Sequence, residues 1–187
     1  PSPGSPRDSR SNARPMSTLF RGGLTFDGDG TMNDGLAVLV EGDTITKVAP
    51  AGEFDGIAGE TVDTTGGCVL PGLFDCHIHL VYAGDPDPFQ RMNDMSDAAI
   101  TLLALENAQA SIAGGITSVR DCGGKDYLEF AVRDACNRGI FTGPTIAAAG
   151  RMICMTGGHG NRVGRIADGV DEVIKAVREQ IHAGSDL

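Results

Sequence analysis

From residue 68 onward the chain alternates short apolar runs with helix-length segments, and this alternation constrains the fold more than any other feature. "CVLPGLFDCHI" (68–78) reads as an apolar strand. Residues 96–115 predict a helix. Ser96 is placed to cap it, apolar residues recur three and four apart, and Gly114-Gly115 stops it. "ITSVRD" (116–121) predicts a second strand, 125–139 a second helix ending at Gly139, 144–150 a third strand and 169–184 a third helix. "SDL" then reads as the start of a fourth strand. Strand and helix in this order imply βα units on a parallel sheet. Two closures satisfy the pattern: an open, doubly wound sheet, or the first three units of a (β/α)₈ barrel. Periodicity does not choose between them.

The earlier part of the chain has another rhythm. Residues 17–67 carry short runs of alternating β-branched and apolar residues, separated by "DGDG" and "EGD" turns. They predict a small antiparallel β-unit, too short to bury much alone. Residues 1–16 hold four of the nine prolines and three arginines without apolar periodicity, and are expected to be a disordered leader or a tag. A transit peptide fits less well, because an amphipathic helix cannot run through four prolines.

Charge and cysteine usage exclude several classes. A net charge of −10 argues against a nucleic-acid partner, which needs a basic footprint. No apolar run reaches the roughly 18 residues of a membrane span. The five cysteines are odd in number and form no C-x-x-C, so they are expected as reduced thiols in a cytoplasmic protein. The glycine-rich segments match neither G-x-G-x-x-G with its acidic ribose ligand nor a P-loop, which disfavours nucleotide binding.

The chemistry is concentrated in "DCHIHL" (75–80). On a strand, residues two apart share a face, so Asp75, His77 and His79 are expected on one side. The imidazoles then lie near the strand's carboxyl end, where parallel α/β folds bind ligands. Two adjacent imidazoles repel when protonated. A divalent cation resolves this, because neutral histidine nitrogens coordinate it. His77 and His79 are therefore the candidate metal ligands. Asp75 either orients a ligand from behind or hydrogen-bonds in the interior, and both readings stand.

"DTTGGCVLPGLFDCHIHL" (63–80) resembles the signature of the amidohydrolase superfamily. "ITSVRDCGG" and "TGGHG" resemble its branch of dipeptidase-like, imidazolonepropionase-like and ochratoxinase-like members. The resemblance runs in order through residues 17–187. It implies an α/β fold: an N-terminal β-sandwich portion over 17–67, then a partial metal-dependent hydrolase barrel over 68–187. His77 and His79 match the family's first two metal ligands. The resemblance also implies one or two divalent ions, zinc foremost, and hydrolysis of an amide or peptide-like C–N bond in a small-molecule substrate such as a dipeptide or N-acyl amino acid. The family's later ligands, a fourth-strand lysine, histidines and an aspartate base, find no match in this sequence. Lys47, Lys125 and Lys175 lie in the β-unit or in or beside helices. This chain alone is accordingly expected to be inactive, and a non-catalytic metal-binding or interaction fragment is the alternative. An unpaired strand edge would also favour self-association into a homo-oligomer.

Other residues carry weaker signals. His159, in "MTGGHGNRVG", is a candidate for binding a substrate carboxylate or carbonyl, or else a surface histidine. Arg162 and Arg165 pair an anionic group or stay solvated. Tyr82 covers the pocket or packs. Arg120 and Asp121 form a rim ion pair or a site wall, with Asp121 placed behind the ligands. His182 suits a helix C-terminus. Cys122 lies near the site without a paired base.

Overall fold

A computed structural model describes residues 17–187. The expected leader at 1–16 lies outside the described residues. The chain divides into two compact units, one ending at Pro71 and the other starting at Gly72.

The first unit contains β1 (Ser17–Arg21), β2 (Leu24–Phe26), β3 (Met32–Asn33), β4 (Leu36–Glu41), β5 (Thr44–Pro50), β6 (Glu60–Asp63) and β7 (Cys68–Val69). β4 and β5 form a hairpin in which Glu41 pairs with Thr44, and Gly42 supplies the φ of +64° that so tight a turn needs. One sheet has the order β5-β4-β1-β6 and the other β3-β2-β7. The unit is mixed rather than antiparallel throughout, because β6 pairs parallel to β1 and β7 parallel to β2. A 3₁₀ turn at Ala51–Phe54 begins the return that makes β6 parallel. Leu19, Ala37, Leu39, Ala49 and Phe54 form the core. It is small, with about 1.5–3 kcal/mol for each large side chain.

The second unit runs β8 (Leu73–Ile78), α1 (Pro88–Asp94), α2 (Asp97–Ala113), β9 (Ile116–Asp121), α3 (Leu128–Asn137), β10 (Thr145–Ala148), β11 (Ile153–Cys154), β12 (Arg165–Ile166) and α4 (Val170–Ala183). β8, β9 and β10 form a parallel sheet in the order β10-β9-β8, as the alternation predicts. The Ser96 hydroxyl caps α2 by accepting the Ala99 N–H at 3.3 Å, an interaction worth about 1 kcal/mol. Ile100, Ala104 and Ala108 of α2 and Phe130 and Val132 of α3 pack with Val119, Ile146 and Ala148 on one face of the sheet. Within this unit the opposite face stays open: Phe74 is 74% exposed, and a cavity of about 260 Å³ there is lined by Phe74, Cys76, Ser118, Arg120, Thr145 and Ala147, among others. This sheet is therefore not covered by helices on both faces.

Further expectations change. The run 68–78 is two strands, not one. Cys68–Val69 joins the first unit's sheet, and β8 starts at Leu73. Pro71 has no N–H to continue a ladder. A side chain at Gly72 would come within 2.0 Å of Thr117 Oγ1, so only glycine passes there. The helix predicted over 125–139 is shorter, because Asp126 and Tyr127 take left-handed conformations at φ +50° and +62°. α1 was not anticipated, although Asp87 caps it, its Oδ1 accepting the Gln90 N–H at 3.0 Å, and Pro88 opens it.

Candidate metal centre

His77 and His79 sit at the end of β8 and just beyond it, with ring centroids 5.4 Å apart and planes inclined at 72°. An ion about 2.0–2.1 Å from a nitrogen of each ring would stand about 3.2 Å from each centroid, so two rings sharing it tetrahedrally are about 5 Å apart. The observed spacing fits that geometry. His77 is exposed and His79 half-buried.

His79 is the better held of the two. Its Nδ1 lies 2.7 Å from the Gly123 carbonyl oxygen. A carbonyl can only accept, so Nδ1 carries the proton and Nε2 keeps its lone pair for a metal. Its ring also meets that of Tyr82 at 5.1 Å, and Tyr82 meets Phe89 at 5.3 Å. The Tyr82 hydroxyl is buried without a hydrogen-bond partner, and burial, followed by the charges of Asp121 and Glu129, raises its pKa.

Asp121 anchors the segment that holds His79. It is fully buried. Its Oδ2 accepts the Leu80 N–H at 2.7 Å and its Oδ1 accepts the Gly123 N–H at 2.8 Å. Burial pushes its pKa up, and those two N–H groups and His79 pull it down. It ties the residue after His79 to the residue whose carbonyl His79 uses. The rim ion pair with Arg120 does not form. Consecutive strand residues face opposite ways, and Arg120 Nε instead donates to the Cys76 carbonyl at 2.6 Å.

The shared face expected for Asp75, His77 and His79 is also revised. Asp75 pairs with Val119 and Ile78 with Asp121, so three steps on β8 match two on β9. That bulge breaks the two-residue alternation between Asp75 and the histidines. Asp75 Oδ1 instead accepts the His77 backbone N–H at 3.0 Å.

The remaining candidates lie elsewhere. His159 is exposed in the loop between β11 and β12 and has no hydrogen bond or ring contact among the described residues. Arg162 of that loop stacks over the Phe89 ring at 5.0 Å, next to the Tyr82–His79 group. Arg165 pairs with Glu179 at 2.7 Å and is not free for an anionic ligand. His182 occupies the last turn of α4 as expected. The Cys122 thiol faces the Cys76 carbonyl at 3.8 Å. Lys47, Lys125 and Lys175 pair with Glu53, Asp97 and Glu179. A cavity of about 470 Å³ lies between the end of β10, β11 and α4 and includes none of the candidate residues. Among the described residues, no group of three or more histidine, cysteine, aspartate or glutamate side chains is arranged to hold an ion, and no helix is long and apolar enough to cross a membrane.

Sequence reasoning missed Glu129. It is fully buried in the first turn of α3, with neither carboxyl oxygen hydrogen-bonded. Burial is the main cause that pushes its pKa up to about 8, and Asp121 adds to it. Its only signal in the sequence was an acidic residue in a first helical turn, which usually reads as a solvated partner of the helix dipole.

Comparison with known proteins completes the assignment. Ochratoxinase of Aspergillus niger is 28% identical over 203 residues, covering 91% of this chain. The chain spans 41% of that relative's length. Imidazolonepropionase of Ectopseudomonas mendocina is 42% identical over 69 residues, covering 36% of this chain and 17% of its own. A prolidase solved with N-methylphosphonate-L-proline superposes with a TM-score of 0.74 at 28% identity, covering 91% of this chain and 45% of that one. The family model for the amidohydrolase family matches residues 68–187, from β7 through α4. With H-x-H at the end of a parallel strand and that match over most of its length, the chain belongs to the amidohydrolase family.

Proposed function

We propose that this chain supplies the first two metal ligands, His77 and His79, of a metal-dependent hydrolase acting on amide or peptide-like C–N bonds. The observation that carries this is the ring pair: 5.4 Å apart, with His79 held at Nδ1 so that Nε2 is left to coordinate. His77 and His79 would hold part of the coordination sphere of a divalent ion, zinc being the expected one, which would supply an activated water with a pKa near 7 (about 7) and polarisation of the scissile carbonyl.

The chain's own residues prepare that centre. The Gly123 carbonyl fixes the His79 tautomer, as a partner behind a metal-bound histidine does. Asp121 holds both ends of the segment in register. Asp75 steadies the His77 backbone. Tyr82 and Phe89 form an apolar wall against His79 that limits water there. His159 and Arg162 would meet a substrate's carboxylate or carbonyl; what supports this is the stacking of Arg162, on the same loop as His159, over Phe89. A dipeptide or N-acyl amino acid fits this arrangement, and the similar prolidase solved with N-methylphosphonate-L-proline supports that class. The enzyme is expected to be cytoplasmic.

Two histidines do not complete a catalytic zinc site, which uses three protein ligands and an open position. The 187-residue chain by itself is therefore proposed to be inactive. Zinc content and hydrolysis of a dipeptide panel, measured on this chain and on a longer form, test both points. The longer form is expected to bind zinc and turn over. His77→Ala is expected to abolish both in it, and undiminished turnover in that variant would refute the assignment.

A further inference from the structure

The Gly123-Gly124 turn does more than follow β9. Gly123 has φ +128°, a conformation that side chains rarely adopt, and its carbonyl accepts the His79 Nδ1–H. Gly124 donates its N–H to the Gly150 carbonyl at 2.9 Å, which ties the turn to the end of β10. Beneath the turn lies Glu129. A Cβ on Gly124 would come within 2.2 Å of Glu129 Oε2 and 2.8 Å of its Cδ, so the carboxyl packs directly against the bare glycine, Oε2 nearest. Glu129 is 0% exposed and its two oxygens have no hydrogen-bond partner. A buried polar group left in that state is destabilising, and such a group calls for a reason.

We propose that Glu129 is a positioning residue: its buried carboxyl supports the Gly123-Gly124 turn in the one shape that presents the Gly123 carbonyl to His79, and so fixes which His79 nitrogen faces the metal. Asp121 holds the turn from the strand side through the Gly123 N–H, and Glu129 holds it from the helix side through contact with Gly124. A carboxyl is flat, and so is an amide of the same shape. An aliphatic side chain is not, and it would push the turn outward. The high pKa of Glu129 agrees with a neutral acid beside the Asp121 carboxylate.

The consequence for metal affinity rests on His79 being a ligand, whereas the tautomer does not. The test therefore reads both. In the metal-free full-length protein with ¹⁵N-labelled histidine, the His79 signal is assigned by its loss in His79→Gln. The unmodified protein and Glu129→Gln are expected to show a single form protonated at Nδ1. Glu129→Leu and Gly124→Ala, which disturb the contact from its two sides, are expected to show both tautomers in exchange and to lose about 10–100-fold in zinc affinity, the usual effect of removing a partner behind a ligand. A folded Glu129→Leu or Gly124→Ala protein that keeps the single Nδ1-protonated form would overturn the proposal. So would a folded Glu129→Gln that loses it. If one disruptive variant fails to fold, the other and Glu129→Gln still decide. Tautomer changes without any zinc binding, even in the unmodified protein, would keep the positioning role and discard His79 as a ligand.

Discussion

Two glycine-rich turns follow two strands of the second unit, and they behave differently. Gly123 and Gly124, after β9, are buried, gripped by Asp121 and Glu129, and bonded to His79. Gly157 and its neighbours, after β11, sit in a loop where Gly157 has open space around it and His159 is exposed. Both read alike as glycine beside candidate site residues. What separates them is buried carboxyl groups. A turn held by buried acidic side chains can fix a ligand's direction, and an exposed loop can only offer a side chain to a substrate that orders it.

The largest expected effect is on stability against pH. Glu129 has an ordinary value of 4.5 and about 8 in the folded chain. Between those values the folded state keeps a proton that the unfolded state has lost. Stability should therefore fall as pH rises through that window, by at most about 1.4 kcal/mol per pH unit, and level off above it. Urea unfolding of the full-length protein from pH 5 to 9 should show this slope, and Glu129→Gln should flatten it. A slope unchanged in Glu129→Gln would place the titration elsewhere and weaken the contrast.

Next comes the pair of glycine substitutions. Gly124→Ala drives a methyl into Glu129 and should cost about 3 kcal/mol, in the range of overpacked cores. Gly157→Ala meets nothing and pays only for its φ of +72°, about 1 kcal/mol. Equal losses in thermal melts would erase the distinction between the turns. Asp121→Asn turns an amide N–H toward a backbone N–H and should cost about 2 kcal/mol while loosening His79. The smallest effect is expected at His159→Ala: stability within about 0.5 kcal/mol, and KM raised with kcat nearly kept. A large drop in kcat would mean that the loop takes part in the chemistry.

Much of this was legible in advance, for identifiable reasons. The parallel order of β8, β9 and β10 follows from apolar runs spaced by helical segments, and α2 announced itself through Ser96 and Gly114-Gly115. Local patterns of that kind are written in neighbouring residues. The bulge between Asp75 and Ile78 was not legible, because it is a mismatch with β9, more than 35 residues away. Nor was the left-handed Tyr127, which shortens α3. Glu129 was hidden for the same reason: nothing near it in sequence shows that Gly124 will lie against its carboxyl. The H-x-H pair stood out, but the groups that aim it come from β9 and α3.

The most direct test of the central claim is where zinc binds. Crystals of the zinc-loaded full-length protein should show an anomalous peak about 2.0–2.1 Å from a ring nitrogen of both His77 and His79, with His79 Nδ1 still turned to the Gly123 carbonyl. A zinc peak elsewhere, with these two rings unliganded, would contradict it.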